Sequence, residues 1–233
     1  RMRKLGLIGG MSWAATELYY RFINQEVQRR VGAGCSAPLV IESLNSCDLS
    51  RLTSDEQWAK AAEALSASAQ RLEAAGATAL LICANSMYKV VDPVQAAVGI
   101  PILHIVDPVG RAMKAKGVKT AALMGTKNVT AEPWYRKRLV GHGISLVTPD
   151  AAEVEAIDTI IYDELMRGVV NKASERAMKT WLTNYDQADV DAVALACTEL
   201  AMIVDTDANV LPIYDSTRLH AMDGVEWILG DAP

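Results

Sequence analysis

One spacing, met twice, limits what this chain can fold into. GGMS closes at Ser12, 71 residues before Cys83, and MGT closes at Thr126, 71 residues before Cys197. The two sets are related by an offset of 114 residues, close to half of the 233-residue chain. Each cysteine ends an apolar run, ATALLIC or DAVALAC, and small polar residues follow it. Each is followed later by a Pro-Ile segment leading to an aspartate, IPILHIVD and LPIYD. Four landmarks repeated in one order describe an internal duplication.

The elements inside each half alternate between short apolar runs and longer amphipathic ones, the pattern of an α/β chain with parallel sheets. Strands are expected at Leu5–Gly9, Pro38–Glu42, Thr78–Ile82 and Ile102–Ile105, then at Thr120–Met124, Ile144–Val147, Asp191–Ala196 and Leu211–Tyr214. Helices are expected at Ala14–Arg30, Asp55–Ala75 with Gly76 just past its end, through Val98, at Ala131–Val140, and as a pair over 151–184 broken near Gly168. No linker rich in Gly, Pro or Ser separates the halves. Duplicated α/β lobes place corresponding strand ends across a cleft, the usual ligand position in such folds.

Composition removes several classes of function. Half the residues (51%) are hydrophobic, enough for a buried core, and the formal charge of −5 offers no cationic face for nucleic acid. The apolar stretch Ala77–Ala84 is far shorter than the roughly 20 residues that span a bilayer, and no signal-peptide core precedes the first strand. The four cysteines form no CxxC pair, and His104, His142 and His220 are too scattered for a zinc site, so no metal is expected. A cytoplasmic protein with reduced thiols is expected. Neither GxGxxG nor GxxxxGK[ST] occurs, which weakens any nucleotide reading of Gly9 and Gly10.

The chemistry points to Cys83 and Cys197. Strand, cysteine, small polar residues and helix put each sulfur at the carboxyl end of a buried strand. There the N–H groups of the next helix are expected to lower its pKa from about 8.5. Two such thiols facing one another suit moving a proton from one face of a carbon to the other, one abstracting while the other donates. A single cysteine ending an apolar strand is ordinarily a small core residue; it is the matched placement that shifts the reading. Cys35 and Cys47 have no counterpart in the repeat and keep the ordinary reading. Asn85, Ser86 and Thr198 follow the cysteines and are placed to bond an α-carboxylate. Met11, Ser12, Thr126 and Thr130 belong to the first strand-to-helix turn of each half, where Ser12 can be N-cap and ligand at once.

Taken together, GLIGGMSWAATELYYRFIN, LLICANSMYKV, IPILHIVD, AALMGTKNVT, AVALACTEL and LPIYDSTRLHA resemble the aspartate/glutamate racemases, within the cofactor-independent group that includes hydantoin racemases. The resemblance covers nearly the whole chain. It implies an α/β fold of two pseudo-symmetric lobes with parallel-type sheets flanked by helices and an active site in the inter-lobe cleft. The expected division is residues 1–99 with 212–233, and 100–211. It further implies an isomerase that racemises a small amino acid without pyridoxal phosphate or any other cofactor, commonly as a homodimer. Cys83 and Cys197 would be the acid/base pair, and Met11, Ser12, Asn85, Ser86, Thr126, Thr130 and Thr198 would hold the substrate's amino and carboxylate groups.

Departures from the family pattern are informative. Cys-Thr-Glu at 197–199 is the aspartate-racemase-like form, where the glutamate-racemase branch carries histidine in place of Glu199. Ser86 stands where threonine is usual and Tyr88 where histidine is common; Met11 replaces an aspartate of the glutamate branch. A second substrate carboxylate would need a cation, for which Arg51, Lys89, Arg167 and Lys172 are candidates, each of them ordinarily a solvated surface charge. Arg51 and Arg167 lie in segments that line the cleft in this family. Competing readings are a racemase of broad range acting on neutral amino acids, decarboxylase or isomerase chemistry on a small dicarboxylate, and a non-catalytic two-lobed binder. Retention of both thiols disfavours the decarboxylase.

Overall fold

The structure, a computed structural model, describes residues 1–207 and 209–230. Strand β1 (Leu5–Gly9) is buried along its whole length, as the middle strand of a parallel sheet covered on both faces must be. After α1 (Trp13–Val31), β2 (Leu39–Ser43) pairs with one edge of β1. After α2 (Asp55–Ala74), β3 (Ala79–Ile82) pairs with the other, giving the order β2-β1-β3. Alternation along the strands divides the side chains between two layers. Leu5, Leu7, Leu81 and Cys83 join Tyr19, Ile23 and Val27 of α1 in one apolar cluster. On the other face a Cβ at Gly6 would meet Leu72 of α2, so that helix lies close against the sheet.

Helix α2 begins where a capping box dictates. Ser54 Oγ accepts the Gln57 N–H at 3.2 Å, and Gln57 Oε1 accepts the Ser54 N–H at 3.2 Å. Short α3 (Val91–Ala96) follows a 3₁₀ turn at Asn85–Val90.

The second sheet repeats the plan with one strand more. Helix α4 (Val106–Ala115) leads to β4 (Thr120–Gly125), followed by α5 (Lys127–Thr130), α6 (Pro133–Gly141) and β5 (Ser145–Leu146). Helices α7 (Ala151–Asp163) and α8 (Lys172–Gln187) precede β6 (Ala192–Ala196), β7 (Ile213–Asp215) and α9 (Ser216–Leu229). The order is β5-β4-β6-β7, all parallel. Ala122, Met124, Val193, Leu195 and Cys197 share a cluster with Ile157, Ile161, Met178 and Leu182 of α7 and α8. Mixed α/β architecture with helix-flanked parallel sheets is thus as expected. Among the described residues no helix is long and apolar enough to cross a membrane.

The structure corrects one expected strand and adds helices. The strand over Ile102–Ile105 reduces to one bridge, Leu80↔Ile102. Its ladder stops because the next carbonyl, of Leu103, is taken by the side chains of Tyr88 and His220. The helix expected over Ala131–Val140 is α6, which starts two residues later where Pro133 takes a position that needs no N–H, and the short α5 before it is an added element. Helices α4 and α9 were not anticipated at all. The break near Gly168 is present, with that residue at φ +76° after a 3₁₀ turn at Leu165–Arg167.

The chain divides into two compact units, residues 1–105 with 220–233 and residues 106–219. The later division falls inside α9: Ser216 and Thr217 belong to the second unit, while Ala221, Val225 and Ile228 complete the apolar cluster of the first.

Candidate active site

In the first unit, the turn after β1 is built by backbone constraints. Gly10 has φ +90°, and a Cβ there would overlap the Leu44 carbonyl oxygen, so only glycine fits. Ser12 is the N-cap of α1, its Oγ accepting the Ala15 N–H at 3.2 Å. Thr16 ties the turn together: its hydroxyl accepts the Gly10 N–H at 2.9 Å and donates to the Ser12 carbonyl at 3.2 Å. Met11 and Ser12 are half-buried.

Cys83 lies one strand over. Its N–H still donates to the Ile8 carbonyl at 2.9 Å, and its side chain sits 1% exposed on the apolar cluster. Asn85, buried, and Ser86, half-buried, open the 3₁₀ turn that follows.

The second unit builds its counterpart with different bonds. Thr126 is the N-cap residue of α5 but makes no side-chain capping bond; its hydroxyl donates to Asn128 Oδ1 at 2.7 Å. Thr130, buried, donates its hydroxyl to the Thr126 carbonyl at 3.1 Å. Cys197 directly follows β6 and is 6% exposed, and its Sγ donates to Glu199 Oε2 at 3.2 Å. The Thr198 and Thr217 hydroxyls are 2.6 Å apart, and the Thr217 N–H donates to Asp215 Oδ1 at 3.1 Å. Burial raises the Asp215 carboxyl above its ordinary value despite the backbone N–H groups of Arg218 and Thr217.

The expectation of acidified thiols is overturned. Burial pushes the Cys83 thiol far up, with no opposing influence. Cys197 also rises, first through burial and then through the Glu199 carboxylate that faces it. The backbone N–H groups of Glu199 and Leu200 do favour its thiolate, as a turn N-terminus should, but burial and a negative neighbour outweigh them. The turns after both cysteines are short 3₁₀ segments, without the dipole of a long helix.

The two thiols differ in their place relative to the turn that follows. Cys197 is the N-cap of its turn, with φ −156° and ψ 125°; in the first unit Ala84 has that role, with φ −156° and ψ 122°. Each cysteine directly follows the last residue of its strand, and Cys83 lies one residue further from the turn.

The cationic candidates are spread over both units. Arg51, at φ +53°, and Arg167, at the end of its 3₁₀ turn, are exposed. Lys89 lies over the Trp58 ring, 4.7 Å from its centroid, and Lys172 opens α8 on the surface. Among the described residues no group of three His, Cys, Asp or Glu side chains is arranged to hold a metal ion. Cys35 is half-buried and Cys47 exposed, both outside the apolar clusters. Sequence reading missed two features: Glu199 as the partner of Cys197, for which the Cys-Thr-Glu spacing was the available signal, and the polar groups packed behind Cys83.

Known proteins resemble this chain over most of its length. The Broad specificity amino-acid racemase RacX of Bacillus subtilis is 24% identical over 165 residues, 69% of each chain. A candidate Asp/Glu racemase of Yersinia pestis, known from its crystal structure, superposes with a TM-score of 0.90 at 36% identity, covering 98% of this chain and 100% of that one. An aspartate racemase homologue from Pyrococcus horikoshii OT3 gives 0.81 at 30% identity, covering 97% and 98%. The Asp/Glu/Hydantoin racemase model matches residues 8–223. The chain belongs to the Asp/Glu/hydantoin racemase family and is an isomerase of the amino-acid racemase class.

Proposed function

We propose that the chain racemises an acidic amino acid, aspartate or glutamate, without pyridoxal phosphate, by two-base proton transfer between Cys83 and Cys197. The observation that carries this reading is that each unit buries one thiol at the carboxyl end of a strand in its parallel sheet, beside a turn of small polar residues. Both thiols hold their protons at neutral pH, because burial raises them above the ordinary thiol value. Glu199 accepts the Cys197 proton: the S–H bond breaks, an O–H bond forms on the carboxylate, and a thiolate remains. That thiolate removes the α-proton of one enantiomer, and the Cys83 thiol delivers its own proton to the opposite face of Cα. The reverse reaction exchanges the two roles.

Burial that makes a thiol hard to ionise also makes its thiolate a stronger base, which narrows the gap to the very weakly acidic Cα–H. The remaining barrier falls to hydrogen-bond donors aimed at the substrate carboxylate, where charge builds up. Met11, Ser12, Asn85, Ser86, Thr126, Thr130 and Thr198 supply that shell, and Arg51 and Arg167 the cation for a side-chain carboxylate. The enzyme is taken to act in the cytoplasm as a homodimer.

Likeness to RacX favours a second reading, a broad-range racemase of neutral amino acids. A panel of L- and D-amino acids in deuterated buffer separates these possibilities through deuterium uptake at Cα. Exchange confined to aspartate or glutamate supports the first reading, and wider exchange the second. No exchange with any amino acid would leave a binding protein. Cys83→Ser and Cys197→Ser should each lower exchange at least 100-fold with an unchanged circular dichroism spectrum; near-wild-type exchange in either removes the two-thiol mechanism.

A further inference from the structure

Behind Cys83 runs a buried polar chain that the proton transfer does not itself use. Tyr19, Tyr88 and His220 are 1%, 2% and 0% exposed. His220 Nδ1 lies 2.6 Å from the Tyr19 hydroxyl, and its Nε2 lies 3.2 Å from the Tyr88 hydroxyl. Nε2 is also 2.7 Å from the Leu103 carbonyl oxygen, which can only accept. That contact places a hydrogen on Nε2. The Tyr88 hydroxyl donates to the same carbonyl at 2.9 Å and accepts the backbone N–H of Ile82 at 3.1 Å. Ile82 is the last residue of β3 and immediately precedes Cys83. The neighbouring His104 ring packs on Tyr88 with centroids 4.5 Å apart.

Simple space-filling would be met by phenylalanine at lower cost, since every buried hydroxyl must find partners. Here the chain reaches backbone at two places: Ile82, immediately before Cys83, and Leu103 where the adjoining ladder stops. We infer that Tyr88, held in place by His220 and Tyr19, is a positioning residue that fixes the Cys83 thiol through the Ile82–Cys83 backbone. This rests on the racemase reading, with Cys83 as one of the two bases. The second unit reaches the same end with other groups, Ser216 Oγ donating to the Leu195 carbonyl at 2.7 Å beside Cys197.

A two-base enzyme offers a readout that a merely structural residue does not move. Each thiol deprotonates one enantiomer, so displacing one thiol slows one of the two proton transfers. The α-deuterium isotope effect on kcat/KM then becomes unequal for the L and D substrates. In Tyr88→Phe, kcat should fall about tenfold to a hundredfold, the scale of a 1 Å misplacement, with KM changed less than about threefold. The isotope effects should become unequal, and amide hydrogen exchange at Ile82 should speed up. Tyr19→Phe, which removes one hydroxyl at the far end, should show the same asymmetry more weakly and guards against a Tyr88 variant that fails to fold.

Equal isotope effects in both variants, or unchanged exchange at Ile82 in Tyr88→Phe, would overturn the positioning role while leaving the racemase intact. Wild-type protein that exchanges no Cα proton of any amino acid would instead remove the racemase reading, and this role with it.

Discussion

A thiol in an apolar cluster is a weak acid, and that single fact governs both stability and chemistry at Cys83 and Cys197. Below the ordinary thiol value of 9.0, folded and unfolded chains both hold these protons, so stability does not depend on them. As pH rises past it the unfolded chain releases protons that the folded chain keeps. Each thiol should then cost up to about 1.4 kcal/mol of stability per pH unit. Cys83→Ala should flatten the fall in unfolding free energy between pH 9 and pH 10 by about that amount, read from urea midpoints. An equal slope in the variant would place the Cys83 thiol in water-like surroundings. Glu199 makes the complementary case. Glu199→Gln leaves the side chain its shape but removes a proton acceptor 3.2 Å from the Cys197 sulfur. Its kcat should drop about 10²-fold, a general base's usual share, with KM little changed. Activity at the wild-type level would show that the Cys197 proton leaves by another route. Sequence named both cysteines but gave their acidity the wrong direction. Burial is set by packing partners from α1, α8 and α9, which no local motif announces.

At the level of elements, legibility followed how locally each one is determined. Strands β1, β3, β4 and β6 are continuous apolar runs and lie within a residue or two of their expected bounds. Helix α2 was readable because its cap and apolar stripe are both local. The supposed strand at Ile102–Ile105 is lost to a competition decided by Tyr88 and His220, from distant parts of the chain. Helix α9 was invisible for a related reason. Its defining feature is close approach to the sheet at Gly224, where a Cβ would lie 2.9 Å from Leu5 Cδ2 and 3.1 Å from Leu81 Cδ1. Gly224→Val should therefore cost about 1–3 kcal/mol by overpacking. Gly224→Ala should cost less, because the gain in helix propensity of about 1 kcal/mol opposes the crowding. Urea titration of the two variants checks the order, and a Val variant as stable as wild type would mean that α9 has room to shift.

For the whole molecule, the decisive feature is how the chain is shared between its units. Residues 106–219 are contiguous and carry a complete sheet with its own apolar cluster. The other unit is discontinuous: residues 1–105 hold all of its strands, but its apolar cluster is closed by Ala221, Val225 and Ile228, the last three fully buried. Removing Val225 and Ile228 forfeits roughly 3–6 kcal/mol of apolar burial, counted at about 1.5–3 kcal/mol for each side chain. That is a large part of the 5–15 kcal/mol by which a domain is stable, before the loss of Arg3 Nε donating to the Trp227 carbonyl at 2.7 Å is added. His220 leaves with the same segment, so the Tyr19–Tyr88 chain behind Cys83 loses its middle member. A fragment of residues 106–219 should accordingly unfold cooperatively in urea by itself, while residues 1–105 should not. A separate peptide spanning 216–230, added in excess, should restore a cooperative transition to the 1–105 fragment. Cooperative unfolding of residues 1–105 without the peptide would show that α9 is dispensable to that unit, and that its burial there does not decide folding.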